Sequence, residues 1–223
     1  MAMLNTFIIM AIVVDIGLLT TEVLHLLLSA KFPTIVFISD FLVYVLSYRV
    51  ITTCFVFLQV ITTGVYALSR RQQHRIECVF YLVTLAVVIV GWCVVAFVIT
   101  NQNRSEQNGS FIHILGARLF AYGHIACFMF IIWDNWKRFT KARTWWHFMM
   151  FLAITIMYLL CGLFGGLFAL RDDNDWIYEH MLFISFIVAH LLFFINTLQD
   201  VHDNVDYTDQ FNMFNGIRLV PVP

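Results

Sequence analysis

The sequence predicts an all-α polytopic membrane protein of six transmembrane helices with both termini cytosolic. Three observations predict it. Hydrophobic residues make up 61% of the 223 and charged residues only 12%, against about a quarter charged in an ordinary soluble domain, and the mean hydropathy is +0.83. Six apolar stretches each reach the roughly 20 residues that a hydrocarbon core about 30 Å thick demands at 1.5 Å rise per residue. The basic residues segregate to alternate links, as the positive-inside rule requires.

The first span, residues 4–29, lacks a basic leading segment and carries Asp15, Glu22 and His25, so it reads as a retained signal anchor although Leu-Ser-Ala at 28–30 mimics a cleavage site. The second, 45–68, starts close to Arg49, and the link 70–75 after it is basic. The third, 76–100, leads into a loop with two sequons, at Asn103 and Asn108, which this topology places outside or in a lumen, where both are candidate glycosylation acceptors. The fourth, 111–133, holds His113, Arg118 and His124. The link 134–143 adds Lys137, Arg138, Lys141 and Arg143 to the cytosolic charge. The fifth, 148–170, follows Trp145 and Trp146, which mark the interfacial belt together with Trp133 and Trp136. The sixth, 177–197, carries Glu179, His180 and His190. Residues 1–199 thus form one transmembrane domain, and 200–223 a short cytosolic tail ending in Val-Pro-Val-Pro.

A net charge of −1 offers no basic surface for phosphate neutralisation and excludes a nucleic-acid partner. The five cysteines fall in or beside apolar stretches and read as small core hydrophobes, neither a disulfide framework nor a zinc site. No heptad or repeat is visible.

Ionisable residues inside hydrocarbon are expensive, so their positions are the functional signal. With the topology above, Glu22, His25, Arg49, His113, Arg118, Glu179 and His180 all belong to the outer half, and the inner half holds almost nothing comparable. At 100° per residue, His113 and His124 share one face of the fourth span, Glu179 and His190 one face of the sixth, and Asp15, Glu22 and His25 one side of the first. Three such seams should face each other and enclose a polar pocket open to the outer leaflet, with Asp15, Glu22 and His124 in its polar core and Arg118 neutralised by Glu179 or Asp15. Histidines and carboxylates at one depth suit acid–base work on an ester, a metal site or headgroup binding. No nucleophile or metal motif is present, and no cofactor or metal is expected. Two haems on paired histidines are disfavoured, because His180 and His190 diverge by about 80°.

Six spans, a His near the outer end of the first, the segment Phe32-Pro-Thr-Ile-Val-Phe-Ile-Ser-Asp40, and a fourth span opening Phe111-Ile-His-Ile-Leu-Gly116 resemble the FRAG/DRAM/SFK family. That family joins damage-regulated autophagy modulators, plasma-membrane regulators of lipid kinase, and a post-GPI-attachment factor that remodels GPI-anchor lipids. Ile112-His113 and the pair Glu179 and His190 are similar to the last branch. Phe37-Ile-Ser-Asp40 and His113-x-x-Gly116-Ala117 are similar to the autophagy branch. Ile114 stands where the GPI branch has an acidic residue, and the first outer loop lacks cysteine.

The resemblance implies a protein acting on lipid in the lumenal or outer leaflet, by acyl exchange or re-acylation of GPI anchors, directly or as an essential partner. His113, Glu179 and His190 would be catalytic, and Arg49, Arg118, His25 and His180 would bind the lipid headgroup. Its partners would be membrane lipid and GPI-anchored proteins, and its compartment the Golgi or endoplasmic reticulum, with lysosomal or plasma membrane as alternatives. The other reading is a non-enzymatic autophagy modulator or lipid-kinase regulator, whose basic link, Lys137 to Arg143, would bind anionic lipid or a protein.

Overall fold

A computed structural model describes residues 2–29, 45–69, 75–97, 107–142, 144–170 and 176–202. Among these residues there is no strand, and every long element is helical: α1 (Ala2–Ser29), α2 (Leu46–Ser69), α3 (Arg75–Phe97), α4 (Gln107–Ala142), α5 (Trp145–Leu170) and α6 (Trp176–His202). Each of the six is long and apolar enough to cross a membrane. The Phe32–Asp40 segment, Asn103 and Arg143 lie outside the described residues, while Asn108 lies in the first turn of α4.

The boundaries follow local chemistry. α5 starts where Thr144 caps it: the His147 backbone N–H donates to Thr144 Oγ1 at 3.4 Å, and the Phe148 N–H closes the first turn on the Thr144 carbonyl at 3.1 Å. Two helix ends run past expectation: α6 continues five residues beyond 197 to His202, so Asp200, read as the start of the cytosolic tail, is helical and buried. α4 runs nine residues past 133, so the segment read as a cytosolic link is helix up to Ala142. Asp134 and Arg138 lie four residues apart on that helix and are both buried. Charges that resemble a loop in the sequence are here part of the bundle interior.

Each helix packs against its neighbours in the chain, and α6 returns to α1, closing a ring; α4 also reaches across to α6. α6 is the most enclosed helix, with 61% of its apolar window buried against 17% for α5. On α1 the buried positions are Ile8, Ala11, Val14, Asp15, Leu18, Glu22 and His25. All but Val14 follow alternating steps of three and four, the spacing of a helix-packing seam. Ile9, Val13, Ile16 and Leu24, on the other side, are exposed for lipid. No heptad was visible because lipid accepts the same apolar residues that the seam uses.

The core is largely aromatic. Trp92, Phe128, Phe183, Phe186, Phe193 and Phe194 form one cluster with Ile131 and Ile154. A smaller one gathers Tyr81, Cys78, Cys127 and Phe130 between α3 and α4. All five cysteines are free thiols; Cys78, Cys127 and Cys161 are buried, as small core residues should be, and Cys54 is exposed.

α3 and α4 approach most closely at glycines. A Cβ on Gly91 would sit 2.3 Å from the Phe120 backbone nitrogen and 2.8 Å from the Gly116 carbonyl oxygen, and one on Gly123 would sit 2.8 Å from Val88. Small residues here let two backbones touch, the usual substitute for a hydrophobic drive between helices in lipid. Gly91→Ala should therefore cost about 1–3 kcal/mol, the range for overpacking. Gly162→Ala, with nothing within 4 Å of the new carbon, should shift stability by less than about 0.5 kcal/mol. Thermal unfolding in detergent, followed by circular dichroism, measures both.

Candidate functional site

The buried polar side chains are arranged in three tiers along α6. The first tier lies where α1 ends and α2 and α6 begin. His180 Nδ1 and Glu22 Oε1 form a short hydrogen bond. The Tyr48 hydroxyl donates to Glu22 Oε2 at 3.2 Å, and His25 Nδ1 lies 3.2 Å from the same hydroxyl. Because the Tyr48 proton goes to the carboxylate, His25 Nδ1–H is the donor in the second contact. The His25 and His180 rings meet edge to face at 4.6 Å between centroids. Glu22, His25 and His180 are at most 1% exposed and Tyr48 8%, so the group is enclosed by protein.

The second tier is centred on Asp15. Gln59 Nε2 donates to Asp15 Oδ1 at 2.7 Å, and His190 Nδ1 donates to Asp15 Oδ2 at 3.0 Å. Thr63 Oγ1 lies 3.0 Å from His190 Nε2 and also donates to the Gln59 carbonyl. The two ring nitrogens of His190 thus bridge Asp15 on α1 and Thr63 on α2.

The third tier lies at the opposite end and joins four helices. Arg138 Nε donates to Asp134 Oδ2 at 2.9 Å, and its terminal nitrogens reach Asp200 and the Tyr66 hydroxyl. Tyr66 passes its own proton to Asp134 Oδ2 at 3.1 Å. His147 Nε2 donates to the other oxygen of Asp200, and the guanidinium lies 5.4 Å from the Phe193 ring centroid. Beside it, Trp146 donates to Asn196 at 3.1 Å and Asn196 to Asn135 at 2.7 Å.

Several expectations meet this geometry directly. The seams of α1 and α6 do face each other, but their polar groups are bonded together and nearly fully buried. Asp15 is engaged by Gln59 and His190, not by Arg118, which is exposed on α4. Arg118 lies about 9 Å inside the apolar stretch beginning at Ile112, within reach of the interface for so long a side chain. The reading that the far half of the bundle holds almost nothing comparable is overturned by the third tier. Arg138, expected in a lipid-binding basic link, is 5% exposed and taken up by two carboxylates, and Lys137 pairs with Glu77 at 2.9 Å.

On α6 it is His180, one residue beyond Glu179, that reaches α1. Glu179 and His190 are eleven residues apart, about 16 Å along the axis, so they belong to different tiers. His113, Arg49 and Glu179 are half-buried near the first-tier end. His124 packs between Phe120 and Phe186, its Nδ1 bonded to the Phe120 carbonyl at 3.1 Å.

Gln59, Thr63, Tyr48 and Tyr66 were not anticipated as site residues. Neutral polar residues are common in membrane helices, and their only signal was spacing: Gln59, Thr63 and Tyr66 lie on one face of α2, four and three residues apart.

Fold and site together define a multi-pass α-helical membrane protein with a stacked, fully buried carboxylate–histidine–hydroxyl column. No protein-family model, curated protein or solved structure matches the chain.

Removing Arg138 strands two carboxylates. Arg138→Met should destabilise the protein by about 3–5 kcal/mol, the cost of breaking a buried ion pair from one side. Lys137→Met, at a pair whose side chains are about a third exposed, should cost less than about 1 kcal/mol. Chemical denaturation in mixed micelles compares them.

Proposed function

We propose that the protein acts on a membrane lipid at the first tier, and that this action is GPI-anchor lipid remodelling, by acyl exchange or re-acylation, directly or as an essential partner. One observation carries the reading: a carboxylate (Glu22), two imidazoles (His180 and His25) and a phenol (Tyr48) converge within hydrogen-bond reach at one end of the bundle. The distribution of basic residues supports reading that end as the outer or lumenal one. Glu22 fixes the orientation and tautomer of His180, the arrangement a general base needs when it takes a proton from an attacking hydroxyl. Tyr48 and His25 would turn the donors they give to Glu22 and to the Tyr48 oxygen in this structure toward charge developing on an ester oxygen. His113, Arg49 and Glu179, half-buried near the same end, would contact the headgroup. The likeness of Ile112-His113 and of Glu179 with His190 to the GPI-remodelling branch supports the choice of lipid.

The alternative, a non-enzymatic autophagy or lipid-kinase modulator working through the basic link, loses support because Lys137 and Arg138 already have carboxylate partners.

Lipid mass spectrometry of GPI anchors from cells lacking the protein tests the proposal. The anchors' acyl chains should shift in the knockout and be restored by wild type and by Lys137→Ala. Glu22→Gln and His180→Ala should restore less than about a hundredth of the activity, the scale of a lost acid–base group. Unchanged anchors in the knockout would sink the proposal.

A further inference from the structure

We infer that Glu22, His25 and His180 form a binding site for a divalent transition-metal ion of the zinc class. The three residues come from two helices, and one donor atom of each lies within 4.8 Å of the other two. Imidazole nitrogens bind zinc at about 2.0–2.1 Å and carboxylate oxygens at about 2.0–2.2 Å, so donors around a tetrahedral ion sit a little over 3 Å apart. An ion entering the cluster would draw the three donors together by the difference. The ligand set is two histidines and one glutamate, with the protein supplying three positions and leaving a fourth open, the pattern of a catalytic rather than a structural ion.

The surroundings also suit an ion. The Tyr48 hydroxyl is 3.2 Å from both Glu22 Oε2 and His25 Nδ1, placed to orient two ligands from the next shell or to approach the open position. The proton now shared between His180 Nδ1 and Glu22 is the one an ion would replace, leaving to solvent as the metal enters. Neither other tier offers this. The second pairs one carboxylate with one imidazole, filled out by an amide and a hydroxyl. The third is already neutralised by the Arg138 guanidinium.

The inference rests on the cluster of the proposed lipid site and changes its chemistry: with an ion bound, His180 is a ligand and the ion at its open position takes over activation of the attacking hydroxyl. It is tested without lipid, so the two can fail separately. Full-length protein purified in detergent is stripped with chelator, incubated with Zn2+, desalted and assayed by elemental mass spectrometry. In parallel, Co2+ is added and its ligand-field absorption recorded. Wild type should retain about one zinc per chain and give the bands of four-coordinate cobalt, bleached by added zinc. His25→Ala and Glu22→Gln, each confirmed folded by size exclusion and circular dichroism, should hold zinc at least about tenfold more weakly. His124→Phe, which removes a membrane histidine outside the cluster, should load like wild type. Should a variant fail to fold, zinc-dependent protection of the wild-type protein against thermal unfolding supplies the second readout. Wild type that takes up no zinc above a detergent blank and gains no thermal protection, or zinc retained in both folded variants, would overturn the inference.

Discussion

Hydrocarbon contains no water to satisfy a polar side chain, so each buried donor or acceptor must find its partner on another part of the protein. That requirement organises half of this bundle. α6 presents His180, His190 and Asp200 at ten-residue intervals, and each meets a carboxylate or a cation from another helix. Once Asp15 and Glu22 are on α1, α1 cannot turn that face to lipid; it must lie against α6, and α2 must bring Gln59 and Tyr48 to the remaining lone pairs. The closure of the ring between the first helix and the last follows from these bonds more than from apolar packing, which gains little by exchanging lipid for a neighbouring helix.

The other half is held differently. α3 and α4 meet through Gly91, Gly116 and Gly123, where backbone touches backbone and dispersion replaces hydrogen bonding. The two devices differ in what they permit. Glycine contacts specify shape and leave nothing reactive behind. Polar tiers cost desolvation and leave carboxylates, imidazoles and hydroxyls concentrated in a water-poor interior, where electrostatic interactions are strong. The first two tiers lie on the α1–α2–α6 side, and the third draws α4 and α5 into the same polar interior. The first tier lies at one end of the bundle, enclosed by protein.

The fold class was legible because the bilayer imposes one length and one composition on every span, and six apolar stretches mapped onto six helices. The polar residues of the first two tiers, Asp15, Glu22, His25, His180 and His190, were legible for a related reason: charge in an apolar run is conspicuous. Their pairing was not. Helical phase placed Glu179 and His190 on one line, but α6 is buried on so much of its circumference that an offset of about 80° still leaves His180 and His190 both facing α1. The third tier was hidden because Asp134, Lys137 and Arg138 sit in a charged stretch that matches a loop by composition, and only the i,i+4 spacing of Asp134 and Arg138 hinted at helix. Gln59 and Thr63 left still less trace, since an uncharged polar residue scarcely alters the apolar average.

The central claim is that α1 and α6 are joined by carboxylate–histidine bonds, and a double-mutant cycle on Asp15 and His190 tests it most directly. Unfolding free energies in mixed micelles would be measured for wild type, Asp15→Asn, His190→Gln and the double variant. Neutral hydrogen bonds in membrane proteins couple by about 0.6 kcal/mol on average; a buried pair of the kind described here should couple by more than about 1.5 kcal/mol, because each single variant strands a partner. Additive effects, with coupling near zero, would mean that the two side chains do not depend on each other and would contradict the account.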